Sequence, residues 1–191
     1  MDKMQAQQIA GEVIDLYKNK AGANYSGEAI TQLEHACQAA QLAEADGQSN
    51  EVILAAFLHD IGHLLDDEPE IEDMGEFGVM DHEVLGAGYL LQRGFSQTIA
   101  TLVKAHVEAK RYLCAVNKRY YDNLSTASKA TLQYQGGPMS KEEVAAFERN
   151  PLRNLIIKMR TWDEEAKHPN VPMPDLTIFE AKIEEHLLSQ S

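Results

Sequence analysis

Histidine and aspartate side chains that could bind metal ions together are spread along most of this chain. Five of its seven histidines lie between positions 35 and 106, and four of those five fall within apolar stretches. One His-Asp pair alone would more often be held by a buried hydrogen bond than by a metal. Buried ionisable groups are costly unless they are paired or metal-bound, so a whole set of them favours a metal. The set comprises His35, His59, Asp60, His82, His106 and Asp163.

The donor types in this set narrow the choice of metal. Imidazole and carboxylate ligands suit iron, zinc or manganese and disfavour the metals that prefer soft thiolates. Four nitrogen donors and two carboxylates shared by two ions leave open coordination positions, which a catalytic site requires. The sequence therefore predicts a dinuclear centre in which Asp60, next to His59, is able to bridge the two ions.

Three basic side chains stand one helical turn from three of these ligands. His63 is four residues after His59, Lys110 is four after His106, and Arg160 is three before Asp163. Side chains at these spacings share a helix face. In a chain with a formal net charge of −13, their convergence predicts an anionic group of the substrate, such as phosphate or phosphonate, beside the metals.

The elements that must position these residues all have helical patterns. Apolar residues recur at helical spacing and no period-two pattern persists, so the fold class is predicted to be all-α. The stretch that carries His59 and Asp60 has the pattern of one buried helix. Ser140 with Glu143 and Thr177 with Glu180 are predicted capping boxes. The predicted helices span about 5–20, 30–45, 52–65, 81–93, 96–113, 118–123, 125–134, 140–149, 150–163 and 177–188.

Composition limits the classes of function. The 191 residues predict a single domain, 1–191. An excess of acidic residues argues against nucleic-acid or anionic-membrane partners. No signal peptide and no transmembrane run are visible, so a cytoplasmic enzyme is expected. Cys37 and Cys114 have no ligand-like spacing, and reduced thiols are expected for both.

The ordered ligand set, H…HD…D with two additional histidines, resembles the HD-domain superfamily of metalloproteins. Mononuclear HD phosphohydrolases need only His35, His59, Asp60 and Asp163, whereas His82 and His106 supply a second ion. Five further segments resemble one branch of that superfamily, the mixed-valent diiron oxygenases that break down organophosphonates. Those segments are 25–35, 72–75, 106–113, 123–128 and 134–139.

This resemblance implies an HD-domain helical bundle around a central dinuclear site with two iron ions, Fe(II)/Fe(III) in the active form. One ion would be bound by His35, His59, Asp60 and Asp163, and the other by Asp60, His82 and His106. The reaction implied is the O2-dependent cleavage of a carbon–phosphorus bond in a small organophosphonate.

The resemblance also implies roles for residues beyond the ligands. His63, Lys110, Ser128 and Arg160 would hold the phosphonate, and Asp60, His63 and Lys110 would be catalytic. Tyr25 would cap an iron until the substrate arrives. Glu28 would meet the amine at the other end of the substrate.

The nature of that amine separates two expected substrates. The acidic residues 66–68, preceded by Leu64 and Leu65, favour a bulky cation without hydrogen-bond donors. The substrate expected first is therefore 1-hydroxy-2-(trimethylammonio)ethylphosphonate, which would give glycine betaine and phosphate. The alternative is 2-amino-1-hydroxyethylphosphonate, which would give glycine and phosphate.

Two other classes of function fit the same ligands. A dinuclear HD phosphohydrolase would attack a phosphoester with a metal-bound water and would not need O2. A metal-dependent helical binding module would leave the basic side chains without a role.

Overall fold

Helices account for nearly all regular structure in this protein. The computed structural model describes residues 1–23, 25, 29–65 and 81–190. Within these ranges there are ten α-helices, one short 3-10 helix and no β-strand, so the all-α prediction is confirmed. The elements are α1 Lys3–Lys20, α2 Gln32–Ala45, α3 Asn50–Leu58, the 3-10 helix Ile61–Leu64, α4 His82–Gln92, α5 Gln97–Val116, α6 Lys118–Asn123, α7 Thr126–Tyr134, α8 Lys141–Glu148, α9 Arg153–Glu165 and α10 Leu176–Ser189.

Side chains cap most helix starts, and one predicted cap is wrong. The capping box of Ser140 and Glu143 is present at the start of α8. The predicted box of Thr177 and Glu180 is not the cap of α10. Asp175 accepts a hydrogen bond from the backbone N–H of Thr177 instead, and the helix begins at Leu176. An aspartate is a stronger N-cap than a threonine, so the helix starts earlier than the threonine pattern suggested.

The predicted helix over 52–65 is also corrected. α3 ends at Leu58, His59 is its C-cap, and the chain continues into the 3-10 helix. Consecutive residues of an α-helix point about 100° apart. A continuous helix would therefore turn Asp60 away from the direction in which His59 points.

Gly62 lets α4 approach this break closely. A Cβ atom at Gly62 would lie 1.9 Å from the carbonyl oxygen of His82, so the two backbones meet where any side chain would block them. The first residue of α4 is thereby placed beside the end of α3.

α3 forms the centre of the core. Its residues from Leu54 to Leu58 are almost completely buried. The Phe57 ring stacks on Phe179 of α10, with 4.0 Å between ring centroids, and the Tyr17 hydroxyl of α1 donates a hydrogen bond to the Phe57 carbonyl. This packing fixes the C-terminal end of α3 inside the bundle.

Two further predictions can be compared with the described residues. Cys37 and Cys114 are both free and buried, and burial together with Glu34 raises the pKa of Cys37 to about 12. Among the residues that the structure describes, no helix has the length and apolarity needed to cross a membrane.

Candidate metal centre

The six predicted ligands meet at the end of α3, although they come from five different helices or their ends. His35 lies on α2, His106 on α5 and Asp163 on α9, whereas His82 is the first residue of α4 and Asp60 follows the C-cap His59. The four imidazoles and the Asp163 carboxylate are each at most 4% exposed. Ligands that are far apart in the sequence therefore come together in one buried cluster.

The first group of ligand atoms surrounds His35 and His59. Their Nε2 atoms are 3.1 Å apart. Oδ1 of Asp163 lies 3.5 Å from His35 Nε2 and 3.9 Å from His59 Nε2. Oδ2 of Asp60 lies 3.6 Å and 3.4 Å from the same two nitrogens.

The second group uses the other oxygen of Asp60. The Nε2 atoms of His82 and His106 are 3.2 Å apart, and Oδ1 of Asp60 lies 3.3 Å and 3.4 Å from them. Each carboxylate oxygen of Asp60 thus faces one pair of imidazoles. This is the arrangement that a carboxylate shared by two ions requires.

Backbone carbonyls determine which imidazole nitrogens face the cluster. Three Nδ1 atoms are within hydrogen-bond distance of a carbonyl oxygen: His35 with Ala166 at 2.9 Å, His59 with Ala56 at 2.8 Å and His106 with Val103 at 2.6 Å. Because a carbonyl oxygen only accepts, these contacts assign the proton of the neutral imidazole to Nδ1. When these rings are neutral, as a metal ligand must be, each Nε2 presents a lone pair to the cluster.

His82 is held differently. Its Nδ1 faces Oε2 of Glu83 at 3.6 Å, and neither buried atom makes a hydrogen bond with the described residues. A carboxylate on the far side of the ring is the other common arrangement behind a metal-bound histidine.

The cluster fits metal ions. Two imidazole nitrogens that face each other at about 3.1 Å need either a shared proton or a metal ion beside them. Two adjacent ligands at about 2.1 Å from one ion would be about 3.0 Å apart, close to both imidazole spacings. Oδ1 of Asp163 is buried without a hydrogen bond to any described residue. Nitrogen and carboxylate donors in this arrangement could hold ions such as iron, zinc or manganese.

His63 reaches the site by a route that the sequence did not predict. It lies in the 3-10 helix rather than one helical turn after His59, because α3 has already ended. Its ring stacks on His82 with 3.9 Å between centroids, and its ring nitrogen is near enough to Asp60 and His82 to join them in a metal-binding trio. Burial and the neighbouring His82 lower the pKa of His63 to about 3, so its imidazole is neutral.

A cavity adjoins the cluster, and the predicted substrate contacts that the structure describes line it. These are Tyr25, His63, Lys110, Ser128 and Arg160. Burial, and next the charge of Arg160, lower the pKa of Lys110 to about 7. Lys110 Nζ donates a hydrogen bond to Thr131 Oγ1 at 3.0 Å.

Sequence reasoning missed three polar residues of this cavity, Thr131, Gln135 and Lys167. Ser128, Thr131 and Gln135 are spaced i, i+3, i+7 on and just after α7, so extending a helical face from Ser128 would have found two of them. Oε1 of Gln135 is buried and makes no hydrogen bond with the described residues. α7 therefore presents a row of polar side chains to the cavity.

Arg160 is less available to a ligand than its spacing from Asp163 suggested. It is 5% exposed, and it donates through Nη1 to Asp163 Oδ2 and through Nη2 to Glu164 Oε1. Two carboxylates therefore share its charge, and part of its hydrogen-bonding capacity is used within the protein.

Tyr25 lies over the first ligand group. Its ring stacks on His35 at 3.9 Å between centroids. Burial and the nearby carboxylates of Asp60 and Asp163 raise the pKa of Tyr25 well above its usual value. The Lys167 ammonium group is 5.5 Å from the Tyr25 ring centroid.

Three sequence-based expectations lie outside the described residues. They are the role of Glu28, the acidic segment 66–68 and the segment 72–75. The expected contact with the amine of the substrate therefore stays a prediction.

Comparison with known proteins gives one family model and several relatives. A model of the HD domain matches residues 32–148. An uncharacterized protein of Acanthamoeba polyphaga mimivirus is 46% identical over 160 residues, which cover 84% of this chain and 73% of that protein. The hydroxymethylphosphonate dioxygenase of Gimesia maris is 40% identical over 85% of this chain and 81% of its own length. The [1-hydroxy-2-(trimethylamino)ethyl]phosphonate dioxygenase (glycine-betaine-forming) of Leisingera caerulea is 39% identical over 94% of this chain and 90% of its own.

Proposed function

This chain belongs to the HD-domain family, and we propose that it is an O2-dependent oxygenase that cleaves the carbon–phosphorus bond of a 1-hydroxyphosphonate. The observation that carries the proposal is the sharing of Asp60 between two pairs of imidazoles, beside a cavity that contains Lys110. Two relatives that each match most of this chain are named as phosphonate dioxygenases.

The proposed metal centre contains two iron ions, Fe(II)/Fe(III) in the active form. His35, His59, Asp60 and Asp163 would bind one ion, and Asp60, His82 and His106 the other. Bound iron would supply the electron chemistry with O2 that this oxidation needs. The overall reaction converts a 1-hydroxyphosphonate and O2 into a carboxylic acid and phosphate, so both oxygen atoms of O2 are required to balance the products.

The protein's own residues bind and orient the phosphonate. The Lys110 amine, whose pKa is lowered to about 7, would be held in its charged form by a bound phosphonate, and its Nζ donates to Thr131 on the wall formed by α7. Ser128 and Gln135 offer further hydrogen-bonding groups on that wall. His63, as a neutral imidazole stacked on His82, can donate one hydrogen bond without adding charge.

Tyr25 would cover the site before the substrate binds. Its phenol stays protonated because burial and two carboxylates raise the pKa. The ring lies against His35, so a substrate that chelates a metal beside His35 would have to displace it.

The substrate expected first is 1-hydroxy-2-(trimethylammonio)ethylphosphonate. The relative from Leisingera caerulea, whose name specifies that compound, matches 94% of this chain. This expectation is tested against two other compounds. One is hydroxymethylphosphonate, which appears in the name of the relative from Gimesia maris, and the other is 2-amino-1-hydroxyethylphosphonate. The three differ only in what C1 carries besides its hydroxyl and phosphonate groups.

The test is a steady-state assay of the iron-loaded protein on all three compounds, with O2 consumption and phosphate release measured together. We expect one phosphate per O2, and no phosphate under strict anaerobiosis. His82→Ala and His106→Ala should abolish turnover. His168→Ala is the matched control, because the backbone of His168, rather than its side chain, pairs with Gln38. Anaerobic phosphate release from a phosphonate would refute the oxygenase, and anaerobic hydrolysis of a phosphoester would support a dinuclear phosphohydrolase instead.

A further inference from the structure

Arg160 is enclosed by hydrogen-bond acceptors from two helices. Its Nε donates to the Tyr120 hydroxyl at 3.0 Å and to Glu164 Oε1 at 3.0 Å. Its Nη2 donates to the same oxygen of Glu164 at 2.8 Å, and its Nη1 donates to Asp163 Oδ2 at 2.5 Å. The guanidinium plane is therefore fixed on three sides.

The bond to Asp163 decides which carboxylate oxygen faces the imidazoles. Oδ2 is occupied by Arg160, whereas Oδ1 lies 3.5 Å from His35 Nε2 and makes no hydrogen bond with the described residues. If Arg160 moved, the Asp163 carboxylate could rotate about its last bond, and Oδ1 would lose its defined position.

Tyr120 and Glu164 hold Arg160 from the side away from the metal ligands. Glu164 Oε1 receives hydrogen bonds from Tyr120 and from two nitrogens of Arg160. Tyr120 comes from α6 and Glu164 from α9, so this contact also joins the two helices. Burial raises the pKa of Tyr120, which keeps its hydroxyl a donor to Glu164.

We propose that Tyr120 and Glu164 are positioning residues that act through Arg160 to fix Asp163 Oδ1 toward His35 and His59. Neither residue is assigned to substrate or to metal here. The inference rests on the proposed metal centre but not on the identity of the substrate.

The expected loss of iron affinity follows from the kind of contact that each substitution removes. Loss of a group that orients a metal ligand commonly weakens metal binding by about 10-fold to 100-fold. That range applies to Arg160, which contacts the ligand Asp163 directly. Glu164→Gln removes a charge one contact further out, so we expect a loss of up to about 10-fold. Tyr120→Phe removes one acceptor and one donor while Glu164 still holds Arg160, so its effect should be a few-fold. The double variant should lose less than the product of the two effects, because both act through one guanidinium group.

The experiment measures iron binding directly, by competition with a chromophoric Fe(II) chelator, together with thermal unfolding of the metal-free proteins. Two matched controls exist in the chain. Glu165→Gln changes an exposed neighbour on the same helix, and Tyr121→Phe changes the adjacent tyrosine, whose ring faces Lys129. Both should bind iron like the wild type.

The result expected is weaker iron binding in Glu164→Gln and Tyr120→Phe, whose metal-free forms remain folded and unfold at a modestly lower temperature because part of the contact between α6 and α9 is lost. If Glu164→Gln does not fold, the iron affinity of Tyr120→Phe still tests the proposal, because its phenyl ring fills the space of the tyrosine ring. Unchanged affinity in the folded variants, or an equal loss in the controls, would overturn the positioning role. If the wild type releases phosphate aerobically and the variants keep its iron affinity, only this inference fails. If the wild type binds no iron, the proposed function fails with it.

Discussion

Replacing Asp60 with asparagine tests the shared carboxylate more directly than any other single change. Its two oxygens face different imidazole pairs, at 3.3 and 3.4 Å on one side and 3.4 and 3.6 Å on the other. An asparagine has one oxygen and one NH2 group. Whichever way the amide turns, one pair of imidazoles loses its oxygen and faces N–H donors instead.

The expected loss can be estimated from the cost of breaking a buried charge pair. Removal of one partner of such a pair costs about 3–5 kcal/mol, and here the partners are the Asp60 carboxylate and the proposed ion beside it. Side-chain rearrangement and water entry will recover part of it. We therefore expect one of the two ions to bind between about 100-fold and about 1,000-fold more weakly, since each tenfold corresponds to about 1.4 kcal/mol.

Metal analysis after gel filtration measures this prediction. The wild type should retain about two iron ions per chain and Asp60→Asn about one, with loss of phosphonate turnover. Asp122→Asn is the control, because the Asp122 side chain forms a surface ion pair with Lys118, a contact worth little. Retention of two ions by Asp60→Asn would show that no ion depends on this carboxylate, and the reasoning from its two oxygens would be wrong.

Three further predictions test other parts of the site. Gly62→Ala should unfold at a markedly lower temperature, because its new Cβ would lie 1.9 Å from the His82 carbonyl oxygen and overpacking against backbone costs about 1–3 kcal/mol or more. Lys110→Met should raise the KM for a phosphonate by about 10-fold to 100-fold, because a hydrogen bond to a charged group is worth about 1.5–3 kcal/mol. Removal of iron by a chelator should lower the unfolding temperature, because ions that bind only the folded chain at about 100 times their Kd add about 2.7 kcal/mol.

Each of these predictions has a control in the same chain. Gly88→Ala adds a methyl group on α4 that, apart from its chain neighbours and the backbone of its own helix, has no heavy atom of the described residues within 4 Å, so it should stabilise slightly through helix propensity. Lys104→Met changes an exposed lysine of α5 and should leave the KM unchanged. Adding iron back should restore the unfolding temperature of the chelated protein. Equal unfolding temperatures for Gly62→Ala and Gly88→Ala would refute the explanation from close backbone contact. Equal KM values for Lys110→Met and Lys104→Met would refute the phosphonate role of Lys110. An unchanged unfolding temperature after chelation would refute stabilisation by bound iron.

The ligand set was predictable from sequence because its information is carried by residue type and order. Four histidines and two aspartates recur on separate helical stretches, apart from the adjacent His59 and Asp60, and buried groups of that kind need a common partner. The helical class was predictable for a similar reason, since apolar residues recur at helical spacing along much of the chain. Neither inference depends on knowing where a side chain points in the folded protein.

The sequence did not predict the directions in which the side chains point or the contacts that they make. Spacing placed Arg160 beside Asp163 correctly, but it could not show that Nε and Nη2 of Arg160 donate to Tyr120 and Glu164. Thr131 was missed because a lone threonine carries no chemical signal until Lys110 is found to donate to it. Such contacts depend on how α5, α6, α7 and α9 pack, which local patterns do not encode.

The position of the His-Asp pair shows the same limit most clearly. Adjacent residues can serve one cluster only where the backbone leaves the α-helix, because helical geometry would turn their side chains about 100° apart. α3 ends at Leu58, and Asp60 has φ −103° and ψ 12°, which lets its carboxylate lie between the two imidazole pairs. The apolar run continues past this point to Leu65, so hydrophobic pattern alone predicts an unbroken helix. Gly62 is the residue that makes the alternative possible, since it admits the His82 backbone at a distance that no side chain would allow. Lengthening α3 by restoring helical geometry at Asp60 would therefore separate the two ligand pairs, even with every ligand residue retained.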